Sequence, residues 1–264
     1  MVWPPPYYMQ YTLTTPTSQA FGWIHTDPDV PQRQAVWQEP TPHRVETGIY
    51  NARHARRFYW QMPHEKSIVG LAVAGWANIA RYGDVDAIWI WQAAKEWDGL
   101  AETVVGDTNG TTLFGAMEIG RRLGFAPYSH TGHNQIGPAS VPAFKDYRYL
   151  TTVDHVRAGV SKGPACIGFP WFTEFDKSMP PRLYAGSGRW IGSSPELKWG
   201  NWTGEGAAGV LIQASDRREA FRMWIPWGEY FDNLWISYRA VEKLLKLGAE
   251  AVVGIDWNSI RGSY

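Results

Sequence analysis

The apolar rhythm of this chain changes once, at Gly163–Pro164. Before that point hydrophobic residues recur at the 3.6-residue spacing of helices. After it they alternate or run together as in strands. A chain with its helices first and antiparallel strands second reads as α+β with segregated halves.

Four helices precede the change. In "KSIVGLAVAGWANIARYG", Ile68, Leu71, Ala72, Gly75, Trp76 and Ile79 share one apolar face, with Ser67 as N-cap and Gly83 as stop. Gly70 and Gly75 lower helix propensity there, which points to close approach of another element. Asp84 is positioned to cap "DVDAIWIWQAAKEWDG". Thr111 or Thr112 opens "TTLFGAMEIGRRLG", which Gly124 closes, and Thr152 and Gly163 bracket "TVDHVRAGVSKG". Then come the strand "PACIGFPWF", a meander over 207–238, a short helix "YRAVEKLLKLG" and a closing strand "AEAVVGID". Residues 1–50 differ from the rest. Repeated prolines break any helix and no periodic apolar face forms, so they read as an extended arm rather than a domain.

Composition narrows the function classes. The 264 residues suffice for one large domain, with Lys+Arg and Asp+Glu balanced at 25 each. A phosphate backbone or an anionic membrane would call for clustered positive charge, so neither is expected as a partner. The one basic run, "ARHARR" at 52–57, is short. A single cysteine excludes an internal disulfide. The N-terminus lacks the basic and apolar regions of a secretory signal, and no apolar run reaches the roughly 18 residues of a membrane span. The expectation is a soluble protein made in the cytoplasm. Sixteen Trp, 13 Tyr and 10 Phe exceed what a core alone needs, which places some of them at interfaces.

The order of elements resembles papain-like cysteine peptidases, in particular the disulfide-free forms of bacteria and bacteriophages. Gln61, the helix from Ser67, "NGTTLFGAMEIGRRLG", "VDHVRAGVSKGPACIGFPWF", "GAAGVLI", "IPWG" and "LWISY" follow in the family's order over roughly residues 58–256. That family's chemistry needs a thiolate nucleophile, an imidazole base, an amide that orients the imidazole, and a Gln at the oxyanion hole. Carried over by position, the nucleophile falls on Ile68, the base on Ala208 and the orienting amide on Ile225, while Gln61 remains at the oxyanion position. A slip of one residue would put Ser67 at the nucleophile, still with no base, because no histidine lies within 204–238.

The resemblance therefore implies a papain-like fold with a helical half over about 58–163 and a β half over about 164–256, in a domain spanning 51–264. It also implies a pseudoenzyme with no cofactor or metal, serving as a structural or binding module. The arm, the surplus Trp and the neutral charge lean towards a bacteriophage virion component in a homo- or hetero-oligomeric assembly. Trp3, Tyr7, Tyr8, Tyr11, Phe21 and Trp23 are the expected partner contacts. Two other readings stay open: a hydrolase of peptide or cell-wall bonds using other residues, or a carbohydrate-binding module, since Trp faces stack on sugars.

Other candidate chemistry is weaker. Cys166 inside a strand reads as a small core hydrophobe. His130 and His133 in "HTGH" would need further ligands, such as Asp107 or Asp146, to hold a metal. His155 reads as an exposed helix residue, "GDTNG" as a turn with a cap, and Glu174 with Asp176 has no meaning without a through-space distance.

Overall fold

The computed structural model describes residues 23–24, 36–47, 67–80, 85–99, 110–127, 144–177, 189–191, 202–226 and 234–255. Among these, helices α1 (Ile68–Ile79), α2 (Ala87–Trp97) and α3 (Leu113–Arg122) precede α4 (Val153–Lys162), α5 (Thr173–Lys177) and α6 (Tyr238–Lys246). The strands are β1 (Trp23–Ile24), β2 (Thr111–Thr112), β3 (Asp146–Tyr149), β4 (Ala165–Phe172), β5 (Arg189–Ile191), β6 (Trp202–Ser215), β7 (Ala220–Trp224), β8 (Leu234–Ser237) and β9 (Glu250–Ile255). Seven of them form one sheet in the order β3-β9-β4-β6-β7-β8-β5, and β1 and β2 pair separately in parallel. Every pairing in the large sheet is antiparallel except β5–β8. The architecture is α+β, with an antiparallel sheet half following a helical half.

Capping follows the local sequence closely. Thr112, Thr152 and Ser237 stand in extended conformations before α3, α4 and α6, and each accepts a hydrogen bond from a first-turn N–H. The cap of α2 is Asp86, not Asp84; its carboxylate accepts from the N–H groups of Ile88 and Trp89. Ser67 occupies the cap position of α1 but makes no capping bond, because its ψ of 9° departs from the extended form that aims a hydroxyl at the helix.

Helix α1 is the centre of the molecule. It is buried on all sides rather than along one stripe, with only Asn78 partly exposed. A helix apolar all round belongs in the interior. Its two glycines admit neighbours on opposite sides. A Cβ on Gly70 would stand 2.4 Å from the Ala87 carbonyl of α2, and one on Gly75 would stand 2.2 Å from the Trp224 ring of β7. Trp76 donates its indole N–H to the Pro164 carbonyl at 2.7 Å. Helix α6 packs on the reverse face of the sheet. Its Tyr238 ring lies 4.5 Å from that of Phe221, which alternation along β7 points away from Trp224.

Two carboxylates tie the halves together. Glu118 of α3, its side chain wholly buried, accepts from the Tyr147 hydroxyl of β3 at 2.8 Å and from Arg121 and Arg122. Asp216, in the β6–β7 turn, accepts two bonds from Arg157 of α4 and one from the Tyr238 hydroxyl.

Residues 36–47 form a strap across the body. The Trp37 N–H donates to the Tyr149 carbonyl at 2.9 Å, the Val45 N–H to the Asp216 carboxylate at 2.7 Å, and the Thr47 N–H to the Ala214 carbonyl at 3.0 Å. Trp37 and Val45 are core residues. The segment lacks a periodic face because it takes its hydrogen bonds from the body one residue at a time.

Candidate functional site

The site is built where α1 begins above β4 and β6. Trp76 sits at Pro164, and Ala72 faces the Cys166 thiol at 4.0 Å. Four helical residues span about 6 Å and two strand residues about 6.6 Å. One more such step along α1 therefore brings Ile68 level with Gly168. In the sheet Gly168 stands opposite Ala208. Cys166, Gly168 and Ala208 share the sheet face that α1 covers. Of the residues singled out in the sequence, Ile68 begins α1 and Ala208 lies on the sheet face that α1 covers, and both are fully buried.

Ile225 lies elsewhere. It follows Trp224 at the end of β7, and its Cγ1 is 3.2 Å from where a Cβ on Gly209 would stand. Gly209 follows Ala208, so alternation turns this contact to the opposite face. Ile225 therefore packs the reverse side of the strand that carries Ala208, not the face that α1 covers. Gln61, Trp3, Tyr7, Tyr8, Tyr11 and Phe21 fall outside the described residues, as do His130, His133 and Asp107.

Trp23 differs from the partner contact expected of it, because it is buried against its own chain. A Cβ on Gly168 would stand 2.1 Å from its indole Nε1, and one on Gly206 would stand 2.5 Å from its Cε3. Gly168 pairs with Ala208 and Gly206 with Pro170, so the two glycines are diagonal neighbours on adjacent strands. The indole lies across that diagonal, on the face carrying Ala208. The backbone of Trp23–Ile24 pairs with Thr111–Thr112. Asp98 braces that short strand: it accepts from both Thr hydroxyls and from the Thr112 N–H. Burial raises the Asp98 carboxyl above its ordinary range, and these three bonds offset the rise only in part. The sequence reading had Trp23 only as a partner contact, and the two glycines were absent from it. Isolated glycines inside strands are the signal that could have found them, since they mark close approach of another group.

The remaining described candidates are placed as follows. Cys166 is fully buried, and burial pushes its thiol well above the usual range, which removes the thiolate. The Ser67 hydroxyl is buried and finds no hydrogen-bond partner among the described residues. His155 of α4 shares a hydrogen bond with the Thr151 hydroxyl just before the helix. Asp146 pairs with Arg148 at the sheet edge. Among the described residues no group of three or more His, Cys, Asp or Glu is placed to hold a metal, and no helix is long and apolar enough to cross a membrane.

A sheet half and a helical half meeting over a buried central helix define the papain-like fold, and solved structures similar to this chain carry it. Xylellain, a cysteine protease from Xylella fastidiosa, superimposes with a TM-score of 0.61 at 15% identity, over 90% of this chain and 96% of its own. The digestive procathepsin L2 proteinase of Tenebrio molitor larval midgut gives 0.59 at 15% identity, over 91% and 79%. Recombinant stem bromelain precursor gives 0.54 at 12% identity, over 92% and 79%. At these identities the likeness establishes the fold alone. No protein-family model and no curated protein sequence matches the chain.

Proposed function

We propose that this chain is a catalytically inactive papain-like protein that serves as a structural or binding module. What supports this reading is that the two positions the resemblance assigns to nucleophile and base, Ile68 at the start of α1 and Ala208 in β6, carry hydrocarbon side chains, both out of water. Losing a general base alone costs about 10²–10⁴ in rate. Loss of the nucleophile removes the covalent route altogether. The test is direct: the purified chain turns over no fluorogenic peptide and takes no label from thiol-directed peptidase inhibitors. Stoichiometric labelling of Cys166 in the native protein would overturn the reading.

The same reading extends to an assembly, as a virion component. Its support is the aromatic surplus, the zero net charge and the Pro/aromatic N-terminus, together with the resemblance to bacteriophage forms. Native mass measurement tests it: a large multimer favours a structural part, and a monomer at working concentration counts against one.

A further inference from the structure

Along the chain the arginines are spread thinly, but the fold gathers four of them at one corner. The Val45 N–H donates to the Asp216 carboxylate and the Val45 carbonyl accepts from the Asp216 N–H, which sets Arg44 beside Arg217 and Arg218 in the β6–β7 turn. The Tyr238 N–H donates to the Glu219 carbonyl at 2.8 Å, which brings Arg239, in the first turn of α6, to the same place. All four arginines are exposed. The acids around them are engaged elsewhere. Asp216 takes Arg157, the Val45 N–H and the Tyr238 hydroxyl. Asp154 takes Arg157, and Glu46 takes the Ser215 hydroxyl and the backbone N–H of Arg217. Glu219 stands exposed in the turn. Among the described residues Arg44, Arg217 and Arg239 make no ion pair. The Arg218 guanidinium stands 4.8 Å from the centre of the Trp235 ring.

We infer that this corner is a docking surface for an acidic segment of a partner protein. An arginine fork fits a carboxylate through two parallel N–H bonds, and here the forks are left with their donors in water. Arg218, backed by the indole, is held in place before a partner arrives and loses less freedom on binding. The partner is a short carboxylate-bearing segment and not a nucleic acid. Glu46, Glu219 and Asp154 stay close by and weaken the field that would draw in a phosphate backbone from a distance. Close contact is then the means of recognition. The corner involves neither the cleft nor α1, so the inference goes beyond the proposed function and holds whether or not the chain is catalytic.

The test uses the full chain and a fluorescein-labelled hexaglutamate peptide, followed by fluorescence anisotropy. The peptide should bind at about 0.05 M salt and weaken as salt rises to about 0.5 M. R217A/R239A should weaken binding about fivefold to tenfold, the scale of two exposed ion pairs. R217A keeps the backbone bond to Glu46, and the Arg239 side chain has no ion pair to lose, so the variant is expected to fold. K246A, which removes a lysine already paired with Glu242, should bind as the parent does. Absence of binding at low salt, or equal binding by parent and R217A/R239A, overturns the docking surface. A labelled six-nucleotide DNA strand that binds more tightly than the peptide overturns the assignment to a protein segment. Turnover of a peptide substrate would sink the proposed function and leave the binding result standing.

Discussion

A Cβ on Gly75 would stand 2.2 Å from Trp224, so the central helix and β7 touch through a glycine and an indole. This contact fixes how deeply α1 sits over the sheet. Trp224 is itself almost wholly buried, so the ring has little room to retreat. G75A is expected to destabilise the fold by about 1–3 kcal/mol, the usual cost of overpacking a filled core. That outweighs the gain of up to about 1 kcal/mol in helix propensity. Chemical denaturation measures it; a variant as stable as the parent would mean that the helix rides higher than described.

Much of this architecture is legible in the sequence. Thr112 and Thr152 declare their helices because a hydroxyl before an apolar run has one common use. The continuous apolar run of β4 reads as a buried strand, which it is along its whole length. The short elements escape. In β3, "DYRY" alternates half-buried charge with buried tyrosine over only four residues, and its partner β9 lies far along the chain. Ser67 looks like a capping serine but makes no capping bond, because its ψ of 9° is not the extended form that aims a hydroxyl at the helix. Ile68 and Ala208 were singled out by the order of motifs alone. Trp23 was legible only as one of the aromatics of the N-terminal segment; its seat on Gly168 and Gly206 was not, since nothing local ties it to glycines so distant in sequence.

Glu118 and Asp216 set the acid limit of stability. Burial raises the Glu118 carboxyl, but the bonds from Arg121, Tyr147 and Arg122 together outweigh it and leave the group below its ordinary range. Burial likewise raises Asp216, and Arg157, the Val45 N–H and Tyr238 more than offset it. A carboxyl lowered in the folded state binds fewer protons there than in the unfolded chain, so stability rises with pH. The contribution is complete above the unfolded values of about 3.9–4.3 and is lost as pH falls through the lower folded ones. E118Q should flatten the acid limb of the stability curve, measured by denaturation between about pH 2 and 5. An unchanged slope would remove Glu118 from the account.

The strap depends on Asp216 and Glu46. Asp216 receives the Val45 N–H, while the Glu46 carboxylate accepts from Ser215 and from the Arg217 N–H. D216A leaves Arg157, Tyr238 and Val45 with one partner fewer each. The expected loss is about 1–3 kcal/mol, because the cluster is only partly shielded from water. Hydrogen exchange at Val45 and Thr47 should accelerate more than exchange in β4. Uniform acceleration would show that the strap and the sheet open as one unit.

The last prediction rebuilds the chemistry. If Ile68 and Ala208 face each other at one level, a cysteine and a histidine in their places should form an ion pair, which lowers the pKa of the thiol. The indole of Trp23 stands beside position 208, so the variant must also carry W23A. The comparison is I68C/W23A with and without A208H, followed by the rate of alkylation of the introduced thiol across pH. With the histidine, alkylation should persist below about pH 7; without it, the rate should fall away below the ordinary thiol value of about 8.5. Adding I225N should change little, since Ile225 packs against Gly209 on the far side of the strand and an amide there cannot reach the imidazole. Identical pH profiles with and without the histidine would separate the two positions in space and remove the basis for reading this cleft as an emptied catalytic site.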